Sequence, residues 1–327
     1  MRVLVTGSSG HLGEALVRTL LAQRREAVGI DILAGAFTHR VGTFTDRAFV
    51  RGCMKGVGTV LHTAALHKPH VATHSRQDFI DVNITGTLNL LEEAAAAGAT
   101  AFVYTSTTSV FGDALVPPPG EPAAWVTEDV PEAPKNIYGV TKAAAEDLCQ
   151  LFARNHSLRA VVLRTSRFFP EEDDDRAVRA AYADANAKAN EFLHRRVDIE
   201  DVVSAHLLAA RHAPSAPFAK YIISATTPFS RDDTAELRRD APQVVRRYVP
   251  EYGAEYVRRG WTMTPSIDRV YVNDKARADL GWQPRHDFRT LVARLRADED
   301  IRSPLAREIG SKGYHDRVFG TGPYPVE

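Results

Sequence analysis

Arg2-Val3-Leu4-Val5-Thr6-Gly7-Ser8-Ser9-Gly10-His11-Leu12-Gly13 decides the fold of this chain. The first five residues read as a buried strand, and a glycine turn follows at once. Leu12, Leu16 and Leu20 then recur at four-residue spacing, as in an amphipathic helix. Strand, glycine turn and helix make a site for a pyrophosphate. Glycines let the backbone come close, and the helix N-terminus attracts the negative charge. A second strand, Ala27 to Ile30, ends at Asp31, 18 residues after Gly13. A carboxylate there suits the hydroxyls of an adenosine ribose and repels a 2′-phosphate. The unit predicts a dinucleotide site that prefers NAD(H) to NADP(H).

Tyr138-Gly-Val-Thr-Lys142 supplies chemistry to go with such a site. Residues four apart lie on one helix face, one turn apart. An ammonium beside a tyrosine favours the phenolate and lowers a pKa that is ordinarily near ~10. The pair is then able to exchange a proton with a substrate hydroxyl near neutral pH. Lysine is scarce here, eight among 41 basic residues, so one at this spacing stands out.

With the spacing Gly-x2-Gly-x2-Gly, Tyr138 and Lys142, the chain resembles the extended short-chain dehydrogenase/reductase superfamily, and within it the NAD-dependent sugar epimerase/dehydratase family. His62-Thr-Ala-Ala65 resembles the family's turn after the fourth strand, which lines the cofactor. Asn83 to Leu91 resembles the helix that follows it. Phe102 to Gly112 resembles the fifth strand with its catalytic hydroxyl, which counting back from Val110-Phe111-Gly112 assigns to Thr107. Asp198-Ile-Glu-Asp201 and Lys275 to Pro284 are similar to two later signatures.

The resemblance implies a Rossmann-type α/β fold, a doubly wound parallel sheet with a smaller C-terminal mixed α/β substrate lobe. It implies NAD held by Gly7, Ser9, Gly10, His11, Leu12 and Gly13, by Asp31, by His62, Ala64 and Ala65, and by Tyr138 and Lys142. Thr107, Tyr138 and Lys142 become the candidate catalytic residues. Tyr138 takes the proton of a carbinol, Thr107 holds its oxygen, and Lys142 serves both the tyrosine and the nicotinamide ribose. Family dehydratases and decarboxylases place acids just after the catalytic hydroxyl. Thr108 and Ser109 stand there instead. β-Elimination then lacks its acid/base pair, which leaves epimerisation of a sugar or nucleotide-sugar, or net dehydrogenation of a sugar-like polyol. A dinucleotide sensor without catalysis is a third class, but sensors typically lose the Tyr or Lys that this chain keeps.

The chain has 327 residues, enough for one doubly wound domain and a smaller one. Acidic and basic residues balance at 41 each, so no bulk charge points to nucleic acid or a membrane surface. No charged-then-apolar leader and no apolar run near ~18 residues is evident. Cys53 and Cys149 fall in helical patterns and read as unpaired, which suits a cytoplasmic, reducing setting.

Candidate strands at 2–6, 27–31, 58–62, 100–106 and 160–164 alternate with helices near 11–23, 46–54, 76–97 and 138–155. That order predicts a parallel sheet covered on both faces, with ligands at the carboxyl ends of its strands. Helices near 176–194, 198–211 and 231–239 and a strand near 220–224 follow. The expected division is 1–165 as the NAD-binding domain, with returning segments at about 195–225, and 166–194 with 226–327 as the substrate lobe. The tail after Gly310 reads as loop. Helices 76–97 and 138–155 are the expected homodimer surface, with Leu88, Leu91, Leu148 and Leu151 buried there or against the sheet.

The substrate region departs from familiar epimerases. Arg167 stands near the family's asparagine, and the acidic run 171–175 follows it. The stretch before Arg195 is short for a uridine-diphosphate clamp. His67, Thr108, Arg167 and Arg196, with Arg195 beside it, are the candidate substrate contacts, since arginine binds phosphate or carboxylate bidentately. The acidic run reads as a solvated loop, with a divalent-metal or cationic-substrate role as the alternative. His62, His67, His70 and His74 make a histidine-dense loop. No cysteine or well-placed acid completes a zinc set there, so no metal is expected. The proline-rich 113–135 segment reads either as a lid or as a surface excursion.

Overall fold

A computed structural model describes residues 1–173, 175–213 and 217–313. The first half alternates as β1 (Arg2–Thr6), α1 (His11–Ala22), β2 (Ala27–Asp31), β3 (Arg40–Val41), α2 (Arg47–Cys53), β4 (Val57–His62), α3 (Arg76–Phe79), α4 (Gly86–Ala96), β5 (Ala101–Thr107), β6 (Ala124–Val126), α5 (Ile137–Asn155) and β7 (Arg159–Thr165). A π-helical stretch, Ile80–Thr85, joins α3 to α4, so the expected helix over 76–97 is one continuous element with a wider middle turn. The second half contains α6 (Arg176–Ala181), α7 (Asp184–Glu191), α8 (Ile199–His212), β8 (Phe218–Ile223), α9 (Thr234–Leu237), α10 (Ala241–Tyr248), α11 (Tyr252–Arg259), β9 (Arg269–Tyr271), α12 (Asp274–Leu280), α13 (Phe288–Arg296) and α14 (Pro304–Ile309).

Seven strands form one parallel sheet in the order β3-β2-β1-β4-β5-β7-β8. Strand alternation divides their side chains between two cores. Val3, Val5 and Val103 face α1 and α8, together with Leu12, Leu16, Leu20, Val202 and Val203. Leu4, Phe102 and Tyr104 face the opposite layer, where α2, α4 and α5 supply Val50, Leu90, Leu91 and Cys149. The sheet is therefore covered on both faces, as doubly wound α/β folds require. Both cysteines are buried and unbonded.

A third core, with Phe192, Phe229, Val244, Tyr252, Tyr256 and Phe288, builds the C-terminal layer. The expected helix over 176–194 is two short helices, because Tyr182 is extended (φ −134°, ψ 142°) between them. Three short strands escape sequence reading. β3 has only two residues, and β6 and β9 pair with each other in a separate two-stranded sheet that packs beside β8. The β6 pairing also answers the question of 113–135. Ala123 and Val126 are buried, and Ala123 N donates to Thr234 O at 3.0 Å. Residues 124–126 of the segment are thus a packed strand, whereas 118–122 are exposed chain. Position 174 of the acidic run and the tail beyond 313 lie outside the described residues. Among the described residues, no helix is long and apolar enough to cross a membrane.

Trp282 fastens the C-terminal chain to this frame. Its ring is 1% exposed, and its Nε1 donates to Ser204 Oγ at 2.9 Å and Asp201 O at 3.2 Å on α8. Trp282→Ala removes a large buried ring, so unfolding free energy should fall by about 3–5 kcal/mol. Urea titration checks this as a lower midpoint at unchanged slope.

Candidate active site

A cleft of about 660 Å³ opens at the carboxyl ends of β1, β2, β4, β5 and β7. Its floor begins with the glycine turn. Gly7 has φ +73°, a left-handed conformation that favours glycine. A Cβ on Gly13 would sit 1.9 Å from Gly7 O, so only glycine lets α1 pack this close to the turn. Gly10 caps α1 without any side-chain bond, which leaves the first amides facing the cleft. The serines are tethered: Ser8 Oγ and Ser9 Oγ lie 2.8 and 2.9 Å from Thr38 Oγ1. Asp31 accepts from Ser9 N and Leu33 N, both at 2.9 Å, which fixes its carboxylate at the end of β2. Gly7, Ser9, Gly10, His11, Leu12, Gly13 and Asp31 all line the cleft. A cradle closed to any Cβ, an uncapped helix N-terminus and an oriented carboxylate fit a dinucleotide.

The wall after β4 depends on a buried network. Thr6 Oγ1 accepts from Thr63 N and Ala64 N, both at 3.0 Å, so its own proton goes to His62 Nδ1 at 2.7 Å. His62 Nε2 then donates to Thr87 Oγ1 at 3.0 Å. Asn83 clamps the next turn, accepting from Leu66 N at 2.8 Å and donating to Leu66 O and Thr141 Oγ1. Ala64, Ala65 and His67 line the cleft, but His62 does not. It was expected against the cofactor. It lies behind the wall among Phe44, Phe102 and Tyr104, because position 62 faces the same side of β4 as Val60. Burial, then the Lys142 charge, pushes its pKa well below the usual range.

Thr107 ends β5, and Tyr138 and Lys142 lie in the first turns of α5, whose N-cap Asn136 accepts from Gly139 N at 3.0 Å. All three line the cleft, and the Thr107 hydroxyl is held by Ser109, donating to its Oγ at 3.2 Å and accepting from its N at 3.1 Å. Lys142 Nζ donates to Thr105 O at 2.6 Å and stands 4.1 Å above the Tyr104 ring. The expected depression of the tyrosine is absent here. Burial raises Tyr138 to about 12, opposed by the nearby Thr107 hydroxyl, and lowers Lys142 to about 7, against the charge of Glu146. Desolvation outweighs pairing because both groups are enclosed and the ammonium is turned toward a carbonyl.

The substrate end departs further from expectation. Thr108, His67 and Arg167 line the cleft, and His67 lies 6.1 Å from the Tyr138 ring, centre to centre. Burial, then repulsion from His70 and Lys142, lowers His67 to about 3, so it is neutral at physiological pH. Arg196 does not line the cleft. It is buried against Glu191 Oε2 at 2.8 Å and Phe169 O at 3.0 Å. Arg195, beside it in the turn that follows α7, does line it. Arg167 and Arg195 both pair with Glu191, and Arg167 also with Asp173. The acidic run is thus not simply solvated: Asp173 is drawn inward by arginines. Glu171 lines the cleft, accepts from Ser311 Oγ at 2.8 Å and lies 3.0 Å from His11 Nε2. Burial opposes its ionisation, but His11 and Ser311 hold it down to about 2. Lys312, Arg269 and Tyr271 complete the lining from sequence far downstream, where no local pattern marks them. Among the described residues, no group of three or more metal-ligating side chains is arranged to hold an ion.

Residues 3–224, more than half of the chain, match the family model described as "NAD dependent epimerase/dehydratase family". An uncharacterized protein of Sinorhizobium fredii, y4nG, is 34% identical over 49% of this chain and 39% of its own length. The UDP-glucose 4-epimerase of Streptomyces lividans is 27% identical over 97% of this chain and 99% of its own. The chain therefore spans well under half of the first relative and nearly all of the second. A short-chain dehydrogenase/reductase superfamily protein from Agrobacterium tumefaciens, solved with bound NAD, superposes with a TM-score of 0.67 over 94% of this chain and 99% of its own. At 23% identity that likeness establishes the fold.

Asp31 should set the cofactor preference. Fluorescence titration should give tighter binding of NAD+ than NADP+, and Asp31→Asn should narrow or reverse the difference. Equal binding of both by the unaltered protein would remove Asp31 from the ribose site.

Proposed function

The chain belongs to the NAD-dependent epimerase/dehydratase family, and on that premise we propose that it is an epimerase of a sugar or nucleotide-sugar. A hydride leaves a carbinol carbon and returns to the opposite face of the resulting keto carbon, so the centre inverts without net oxidation. The observation that carries this reading is the meeting of Thr107, Tyr138 and Lys142 on one wall of a cleft whose floor is the glycine turn. NAD, when bound, supplies the hydride acceptor and, when oxidised, a positive charge beside the tyrosine. Tyr138 takes the hydroxyl proton and later returns it, while Thr107 holds the same oxygen. The first turn of α5 adds partial positive charge at Tyr138, which favours the phenolate. Lys142 is kept beside the pair by Thr105 O. Neutral His67 suits a hydroxyl-bearing substrate, and Thr108 and Arg195 are the proposed contacts further out. Arg167 serves mainly to order Glu191.

Thr108 and Ser109 have no carboxyl group with which to expel a hydroxyl, which supports epimerisation over dehydration. An epimerase recycles its cofactor without releasing it, which suits a segment lying across the cofactor end of the cleft. Ser311 to Gly313 bond to Glu171, and Lys312 N donates to His11 at 3.1 Å, so the chain crosses the N-terminal end of α1. Net dehydrogenation is the second reading, favoured by the open adenosine end, where Ile32 and Leu33 are exposed. Denaturing the purified protein anaerobically separates the two. Stoichiometric NAD+ released from it supports the epimerase; an empty protein that accumulates NADH with substrate supports the dehydrogenase.

The proposed assembly is a homodimer through α5 and the 76–96 helix. Ile80, Val140 and Leu151 are exposed there, and Leu88 and Leu148 are half-buried, whereas Leu91 is fully packed against the sheet. Sedimentation at micromolar concentration should give a dimer, and Val140→Glu should give a folded monomer.

Tyr138→Phe keeps the ring and removes the proton carrier. Turnover should fall by about 10²–10⁴-fold, while NAD binding survives. Near-normal turnover in that variant would exclude the proposed chemistry.

A further inference from the structure

We propose that Glu146 is the positioning residue that keeps Lys142 charged and in place, by anchoring the strand end that holds it. This rests on the reading of Lys142 as the partner of Tyr138. Glu146 lies one turn beyond Lys142 on α5 and has no exposed surface. Ser106 Oγ donates to its Oε1 at 2.5 Å. Ser106 lies between Thr105, whose carbonyl accepts from Lys142, and Thr107, the candidate hydroxyl. One carboxylate therefore touches the link between both functional contacts on β5.

The same carboxylate is engaged from two further strands. Arg164 on β7 donates to it from Nε at 3.1 and 3.2 Å and from Nη2 at 2.6 Å. Lys220 on β8 approaches Oε2 at 2.8 Å. Glu132 shares both cations. Burial alone would strip the proton from Lys142, and Glu146 is the leading group that opposes this. The other groups that face Lys142 do not replace it. Cys149 is a buried thiol, His62 and His67 are neutral, and Tyr138 is protonated. The Tyr104 ring and Thr105 O offer partial charge only.

The sign follows from the charge. A lysine that loses its carboxylate neighbour gives up its proton at lower pH. Protonated Lys142 is the form that supports the tyrosine, so the alkaline limb of turnover moves down with it.

The test reads Lys142 directly by NMR of protein labelled with ¹³C,¹⁵N-lysine, with Lys142→Met to assign the signal. Wild type should titrate near 7. Glu146→Gln should move that titration down by about one pH unit or more, and Glu146→Asp should restore most of it. Glu146→Gln leaves Arg164 without its main partner, so the double variant Glu146→Gln/Arg164→Met, which removes both charges, is measured alongside. Its Lys142 titration should also fall. A wild-type titration of Lys142 in either folded variant overturns the proposal. The readout does not use the reaction: if Tyr138→Phe keeps its turnover while the titration moves, the mechanism fails and the Glu146 pairing stands.

Discussion

A glutamate without solvent contact ties three strands together beneath the cleft. Glu146 binds Ser106 of β5, Arg164 of β7 and Lys220 of β8 from a single helix. Breaking a buried pair of this kind by removing one partner costs about 3–5 kcal/mol, because the remaining charge stays buried. The alignment of Thr107 with Tyr138 depends on that arrangement. So does the depth at which Lys142 sits, since its ammonium reaches Thr105 O from the same helix face.

The electrostatics of the cleft follow from enclosure more than from pairing. Tyr138 is pushed up and Lys142 down because each loses water before it gains a close opposite charge. His62 and His67 are driven to the neutral form for the same reason. A site of this kind is poised for a cationic cofactor, whose charge would favour the phenolate. At the substrate end the reverse holds. Glu191 is ionised despite burial, because Arg196, Arg195 and Arg167 surround it. Those arginines are held by Glu191 within the protein itself.

How much of this was legible depended on whether the signal was local. The bounds of β1 and β2 match the apolar runs residue for residue, and β4, β5 and β7 match within a residue at each end. Turn glycines and the four-residue spacing of Tyr138 and Lys142 are likewise local. Errors arose where a side chain's direction mattered. His62 and Thr63 are neighbours, yet only Thr63 reaches the cleft. Arg195 and Arg196 are neighbours too, and of the two only Arg195 lines the cleft. Chain motif gives the region, but the parity of an extended backbone decides the face.

The sequence by itself determined the dinucleotide-binding unit, the parallel order of the sheet and the identity of the Thr, Tyr and Lys on the cleft wall. Each is encoded in a few adjacent residues whose backbone demands are strict, such as a glycine where a Cβ would meet Gly7 O at 1.9 Å. Only the tertiary structure decided the protonation of those groups, the pairing of the acidic run with arginines, and the closure of the cleft by Lys312, which reaches Glu14 at 2.5 Å across almost the whole chain. These depend on desolvation and on contacts between distant segments, and neither is written in any local stretch of residues.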